Sequence, residues 1–288
     1  TGVMTMPYAE VIGDPIAQSK SPAIHRFWLE KLGIEADYRA TRVSEAEVAD
    51  YLTERQADPD WRGCNVTMPL KQSVQPHLSS VEEPAASIGA VNTIYPAYDR
   101  LLAGTNTDAA GFLEPLTKEL QAPHLFRMAR ILGAGGAARA IAHALARENF
   151  TLVIAARRLD QAEDLIDSLP QTTQHHAVSL DHFAQTTDFA FDDRQSLLDL
   201  VINASPLGMR GKAPLAFDWS HAPPGAIAYD IVTDPLETDF LRAAGEAGHA
   251  TIDGLAMLIG QAAEAFRLFF GSPPPRQHDG ELRALLTA

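Results

Sequence analysis

The sequence predicts an α/β protein of two open α/β domains, and three observations carry that reading. Short apolar runs alternate with helix-prone segments, first over the leading hundred residues and again after Asp108. In the second series, Gly133-Ala134-Gly135-Gly136-Ala137-Ala138 follows Ile131-Leu132 and opens an Ala-rich stretch that runs to about Ala146. A strand, a glycine turn and a helix in that order form a phosphate-binding unit, so the second domain is expected to be Rossmann-like and doubly wound. The length of 288 residues also suits two domains of ordinary size.

In chain order, Tyr8 to Ile12 reads as the first strand. Ser21-Pro22 opens a helix that Gly33 stops, with Ser21 placed as its N-cap. Gly63 to Thr67 reads as a strand leading into a helix begun by Pro69, and Val91 to Tyr95 as a further strand. Ile131-Leu132, Thr151 to Ala155, Leu200 to Asn203 and Ile227 to Ile231 supply the strands of the second domain. The last strong helix, Leu255 to Phe270, ends at Gly271 and the prolines beyond it, and it is expected to cross back to the first domain. The expected domains are 1–107 with 254–288, and 108–253.

Composition narrows the function classes. With 46% hydrophobic and 21% charged residues the chain reads as globular, and its formal charge of -14 repels phosphate backbones and anionic membranes. Neither a nucleic-acid nor a membrane partner is expected. The single cysteine, Cys64, excludes an intrachain disulfide and fits a reducing compartment. No uninterrupted apolar stretch is long enough to span a bilayer and no secretory pattern opens the chain, so a cytoplasmic protein is expected, with Thr1-Gly2 set aside from the fold reading. The ten histidines show no short metal-ligand spacing, so no metal is expected, and Ser205 lacks the context of a hydrolase nucleophile.

The glycine segment assigns cofactor contacts to Gly133, Ala134, Gly135, Gly136 and Ala137. Arg157-Arg158 ends the next strand, where an NAD site usually carries an acidic residue; two guanidiniums there suit a 2′-phosphate and favour NADP. Asp160, a competing partner for a ribose hydroxyl, keeps NAD open. Ser19 and Ser21 are spaced to present two hydroxyls to a carboxylate or diol, or else to cap a helix. Lys71 falls in the first turn of the helix begun by Pro69, where the helix dipole opposes an ammonium charge and a carboxylate partner favours it. Asp108 is either that carboxylate or an N-cap, Asn92 a cleft residue or a turn, and Gln261 a hydrogen-bonding group on the face that carries Met257, or a solvated one.

Five ordered segments, Gly13-Asp14-Pro15-Ile16-Ala17-Gln18-Ser19-Lys20-Ser21-Pro22, Asn65-Val66-Thr67-Met68-Pro69-Leu70-Lys71, Gly89-Ala90-Val91-Asn92-Thr93, Asn106-Thr107-Asp108 and Asp253-Gly254-Leu255-Ala256-Met257-Leu258, resemble the shikimate/quinate dehydrogenase family from Gly13 to Gly271. The resemblance implies NADPH-dependent, reversible reduction of 3-dehydroshikimate to shikimate, a step of aromatic amino-acid biosynthesis. It implies that Ser19 and Ser21 bind the substrate carboxylate, that Thr67, Asn92, Gln261 and Tyr229 complete the substrate site, and that Lys71 and Asp108 transfer the proton. Gly254 and Met257 join the cofactor contacts on the same ground. Ser21, where quinate-using relatives tend to carry Thr, points to shikimate. The alternatives are a broader quinate/shikimate dehydrogenase using NAD or NADP, and a non-catalytic sensor of NADPH or a cyclic acid; a monomer or a homodimer is expected.

Three segments depart from the family pattern. Ala156 stands where an Asn usually precedes the arginines, and Tyr229-Asp230 continues as Ile231-Val232-Thr233 without a second Tyr. The acidic stretch Leu180 to Leu198 reads as a surface insertion.

Overall fold

The computed structural model describes residues 6–171, 173–191 and 196–288. The chain divides into two compact units, Thr1–Gly111 with Ile259–Ala288, and Phe112–Leu258.

The first unit contains β1 (Tyr8–Gly13), α1 (Ser21–Leu32), β2 (Asp37–Arg42), α2 (Val48–Ala57), β3 (Trp61–Val66), β4 (Ser80–Val81), α3 (Ala85–Ile88), β5 (Thr93–Pro96) and β6 (Leu102–Thr105). Helix α4 (Asp108–Leu113) carries the chain into the second unit. The second unit holds α5 (Thr117–Gln121), β7 (Phe126–Leu132), α6 (Gly136–Arg147), β8 (Thr151–Ala156), α7 (Leu159–Asp167), β9 (His176–Ser179), β10 (Leu197–Asn203), β11 (Ile227–Asp230), α8 (Asp239–Glu246) and β12 (Ala250–Ile252). Helix α9 (Gly254–Phe270) begins in the second unit and ends in the first, where α10 (Asp279–Thr287) follows.

Among the described residues, the first unit builds one mixed sheet in the order β2-β1-β3-β5-β6-β4. β1 pairs in parallel with β2 and β3, whereas β5 runs antiparallel to β3 and β6. Central β1 is buried along its whole length, which suits an inner strand covered on both faces. Trp61, Leu70, Val91 and Ile94 pack below it with Cys64, each removed from water for a gain of roughly 1.5–3 kcal/mol per large side chain. A charge in such a strand needs donors, and Glu10 has them: Arg55, Tyr51 and Thr41 all donate to its carboxylate. Burial alone raises the Glu10 carboxyl, but these three donors outweigh it and hold the group below the ordinary range.

The second unit is an all-parallel sheet in the order β12-β11-β10-β7-β8-β9. Counted from β7, that is the doubly wound strand order, with β7 and β10 flanking the point at which the winding reverses. Alternate residues face opposite layers: Ile131, Ile154 and Ile202 pack with α6 and α7, whereas Leu132, Ala155 and Val201 pack with Phe240 and Leu241 of α8.

The structure differs from the sequence reading in several elements. Residues 68–74 form consecutive turns, not a helix begun by Pro69, so Lys71 does not stand in the first turn of a helix. Ser21 is not an N-cap: α1 starts at Ser21 behind Lys20, no side chain caps it, and Gly33 ends it in the left-handed conformation at φ 64°. Strand β5 starts at Thr93, which leaves Val91 and Asn92 in the connection before it. Strands β2, β4, β6, β9 and β12 went unread because they are short or polar; β2 is Asp-Tyr-Arg-Ala-Thr-Arg, with Tyr38 its one buried residue. The stretch read as a surface insertion is partly anchored, since Phe183 is buried and Asp218 N donates to its carbonyl at 2.7 Å. Residues 192–195 of that stretch lie outside the described residues. No described helix is long and apolar enough to cross a membrane.

Candidate active site

In the first unit, the polar ends of β3 and β6 and the connection before β5 converge on Lys71. Its backbone carbonyl accepts from Val91 N at 2.7 Å, and its ammonium donates to Asp108 Oδ2, so the side chain is held at both ends. Asp108 opens α4, with its backbone N–H satisfied by Asn106 Oδ1 at 2.9 Å. Its second carboxylate oxygen accepts from Asn92 Nδ2 at 2.9 Å. The Lys71 and Asp108 side chains are 14% and 7% exposed, so the pair is largely screened from water.

Asn92 is the hub of the cluster. Its Oδ1 accepts from Thr107 N at 2.8 Å and from Thr93 Oγ1 at 2.9 Å, and its Nδ2 also donates to Thr107 Oγ1 at 2.9 Å. Thr107 in turn reaches Gln261 Oε1 at 3.4 Å, which brings α9 into the same network. Thr67 follows β3, with its N–H bonded to Ile12 O at 2.9 Å and its side chain half-buried. Ser19 and Ser21 precede and begin α1, and Ser19 Oγ accepts from Ser21 N at 3.3 Å. Lys71, Asp108, Asn92 and Gln261 are thus joined by hydrogen bonds through Thr107. Thr93, Thr107 and Asn65 belong to that network and had not been singled out; the Asn-Thr-Asp run ahead of α4 was the available signal. Chemically, an ammonium aimed by a buried carboxylate can give a proton to, or as an amine take one from, an oxygen bound beside it.

In the second unit, Gly133 leaves β7 with φ 125°, a conformation side chains rarely adopt. A Cβ there would sit 2.7 Å from the Ala204 carbonyl oxygen after β10, so the turn requires glycine at the reversal point. Gly135, the N-cap of α6, has open space where a Cβ would project, and no side chain caps the helix or places an acid in its first turn. The uncapped N–H groups of Gly136, Ala137 and their neighbours suit a phosphate. Ala134 and Ala137 are half-buried beside that opening, and Ala138 is fully buried against the sheet.

Arg157 and Arg158 are exposed beyond β8, and Arg158 forms an ion pair with Asp160. That pair leaves the Asp160 carboxyl below its usual range, with the Arg158 hydrogen bond as the main cause. These features fit NADP: a glycine turn at the switch point, an unblocked helix start and two surface guanidiniums.

Three of the expected site residues lie deep in the second unit. Tyr229 is fully buried and stacked on Phe112 at 4.6 Å, its hydroxyl has no hydrogen-bond partner among the described residues, and burial pushes that phenol far up. Gly254 brings the start of α9 so close to β11 that a Cβ would lie 2.3 Å from the Val232 carbonyl oxygen. Met257 is 6% exposed within the core of the second unit. Beside them Asp230 is completely buried, and desolvation raises its carboxyl even though Thr238, Val232 N and Asn203 donate to it.

Comparison with known proteins follows the same division of the chain. Residues 11–94 match the shikimate dehydrogenase substrate binding domain, residues 254–278 the shikimate 5′-dehydrogenase C-terminal domain, and residues 130–208 the saccharopine dehydrogenase NADP binding domain. A shikimate dehydrogenase (NADP(+)) of Sphingopyxis alaskensis is 48% identical over 285 residues, covering 98% of this chain and 97% of its own. The crystal structure of Thermus thermophilus shikimate 5-dehydrogenase in complex with NADP(H) and shikimate is 35% identical, with a TM-score of 0.80 over 98% of this chain and 100% of its own. A ligand-free 5-ketofructose reductase of a Gluconobacter strain is 28% identical, with a TM-score of 0.82 over 98% of this chain and 100% of its own.

Proposed function

The chain belongs to the shikimate dehydrogenase family, and from that premise we propose that Lys71 and Asp108 carry the proton in its NADP-dependent interconversion of shikimate and 3-dehydroshikimate. This places the enzyme in the shikimate pathway of aromatic biosynthesis. Bound NADP(H) would supply the hydride exchange at the carbon that alternates between the alcohol of shikimate and the ketone of 3-dehydroshikimate.

The residues of this chain supply orientation and proton movement. In the reductive direction the Lys71 ammonium donates its proton to the oxygen on which negative charge develops, and in the oxidative direction the Lys71 amine takes the hydroxyl proton back. Asp108 aims Lys71 and balances its charge, and Asn92 fixes Asp108. Ser19 and Ser21 bind the substrate carboxylate, while Thr67, Asn92 and Gln261, with Tyr229, hold its ring and hydroxyls. Gly133 to Ala137 receive the pyrophosphate, Arg157 and Arg158 the 2′-phosphate, and Gly254 and Met257 complete the cofactor site. We assign substrate binding to the first unit and cofactor binding to the second, in a cytoplasmic enzyme that is a monomer or homodimer and binds no nucleic acid.

The observation that carries this reading is the hydrogen-bonded cluster of Lys71, Asp108 and Asn92, because a sensor needs affinity for its ligand but no aimed ammonium. The 5-ketofructose reductase neighbour supports a second reading, in which the same proton site serves another polyhydroxylated ketone. The test follows nicotinamide absorbance with shikimate, quinate and 5-ketofructose, each with NADP(H) and NAD(H). The expected result is the highest kcat/KM for shikimate with NADP. A higher value for quinate with NAD or for 5-ketofructose, or binding without turnover, overturns the assignment.

A further inference from the structure

The hydrogen bonds around Asn92 run back to a residue of β2 that touches none of the groups assigned to chemistry. Tyr38 is fully buried, and its Oη donates to Asn65 Oδ1 at 2.6 Å. That contact decides which way the Asn65 amide points: Nδ2 faces Thr93 Oγ1 at 3.0 Å and the Asn92 carbonyl at 3.3 Å. Thr93, having accepted from Asn65, has its one hydroxyl hydrogen left for Asn92 Oδ1 at 2.9 Å. With Oδ1 taken by Thr93 and by Thr107 N, the Asn92 amide turns Nδ2 toward Asp108 Oδ1. The chain has one polarity from end to end, and a tyrosine, which can donate where a phenylalanine cannot, sets it.

We propose that Tyr38 is a positioning residue for the proton-transfer pair, fixing through Asn65, Thr93 and Asn92 the donor that holds Asp108 against Lys71. Without the phenol hydrogen, Asn65 Oδ1 is left buried and unsatisfied, and turning the amide over points that oxygen at the Asn92 carbonyl. The turned amide offers Thr93 a competing acceptor in Asn65 Oδ1, which draws its hydroxyl hydrogen from Asn92 Oδ1 and loosens Asn92. The ring is held independently: His25 stacks on it at 3.9 Å with the planes 5° apart, and Phe269 lies beside it at 6.4 Å. Burial pushes the Tyr38 phenol well above its ordinary range, which keeps it an O–H donor at any pH the protein survives.

This inference rests on the assignment of Lys71 and Asp108 as the proton-transfer pair, and the experiment separates the two. Tyr38→Phe, Thr93→Val, the double variant and Lys71→Ala are assayed for shikimate oxidation with NADP, using sites counted by shikimate binding. Tyr38→Phe is expected to lower kcat per site about tenfold and to leave both KM values within about twofold. The double variant should be no slower than the slower single variant, because both substitutions cut one chain. A purely structural role lowers the melting temperature and the number of sites but leaves kcat per site unchanged, and that result overturns the proposal. So does a double variant whose losses multiply. If Tyr38→Phe does not fold, an unchanged kcat in Thr93→Val has the same force. A Lys71→Ala enzyme that turns over normally refutes the proton-transfer assignment itself, whereas an inactive one beside an unaffected Tyr38→Phe refutes only the role of Tyr38.

Discussion

The two units prepare for their ligands in opposite ways. Around Lys71 the first unit uses side chains, and most are buried and bonded to one another: Asn92 is 2% exposed, Thr93 0%, Thr107 5% and Gln261 8%. At its glycine turn the second unit uses backbone N–H groups and exposed arginines, with no side chain capping α6. The difference follows from the two tasks proposed above. A proton must move between atoms held to within fractions of an ångström, so its network is finished before substrate arrives, whereas a dinucleotide phosphate brings charge enough to order flexible guanidiniums itself.

If that contrast holds, damage to the first unit lowers turnover and damage to the second weakens cofactor binding. The largest effect is expected from Asp108→Ala, which leaves Lys71 without its anion and Asn92 without its acceptor. We expect kcat to fall by about 10²–10⁴-fold while the NADP dissociation constant, measured by fluorescence titration, stays within about twofold. A matched loss of NADP affinity would break the comparison. Next comes Gly133→Val. The φ of 125° and the Ala204 carbonyl 2.7 Å from any Cβ impose strain of about 1–3 kcal/mol or more, so NADP binding should weaken at least about tenfold while shikimate binding persists by calorimetry.

How much of this was legible beforehand differs between the units for the same physical reason. A glycine turn between a strand and a helix is a local pattern, so the turn at Gly133 and the packing of Ala138 on the sheet could be read directly. Lys71 and Asp108 stand 37 positions apart, and their residues alone left Asp108 as either the partner of Lys71 or an N-cap, an ambiguity that the family motifs decided. The local reading of Lys71 failed, because the residues after Pro69 close as turns and not as a helix. Tyr38 gave no signal at all: it is one buried aromatic in a polar strand, and its importance lies in a bond to Asn65, 27 residues away. The depth of Tyr229 and Gly254 was also unreadable, since it comes from tertiary packing against Phe112 and the Val232 backbone.

Smaller effects sharpen the contrast. Arg158→Ala frees Asp160 and removes one guanidinium from an exposed site, so the NADP-over-NAD preference in kcat/KM should fall about tenfold with kcat unchanged. An unchanged preference would remove Arg158 from the 2′-phosphate site. The smallest lies in stability. His25 is completely buried with no hydrogen-bond partner for either ring nitrogen among the described residues, and desolvation pushes it from 6.5 down to about 3. Between those values the unfolded chain binds a proton that the folded chain refuses, so stability rises with pH across that window and its gain is complete above 6.5. Relative to His25→Phe, the native protein should lose about 1.4 kcal/mol per pH unit between pH 6 and 4 in urea melts, and parallel pH curves would contradict it.

The most direct test of the account is Lys71→Ala assayed in both directions, alongside calorimetric titration of shikimate. The account predicts that kcat drops by about 10²-fold or more for shikimate oxidation and for 3-dehydroshikimate reduction, with shikimate still bound within a few-fold of the native affinity. Turnover retained within about twofold, or lost only in step with shikimate binding, would contradict a proton path through Lys71.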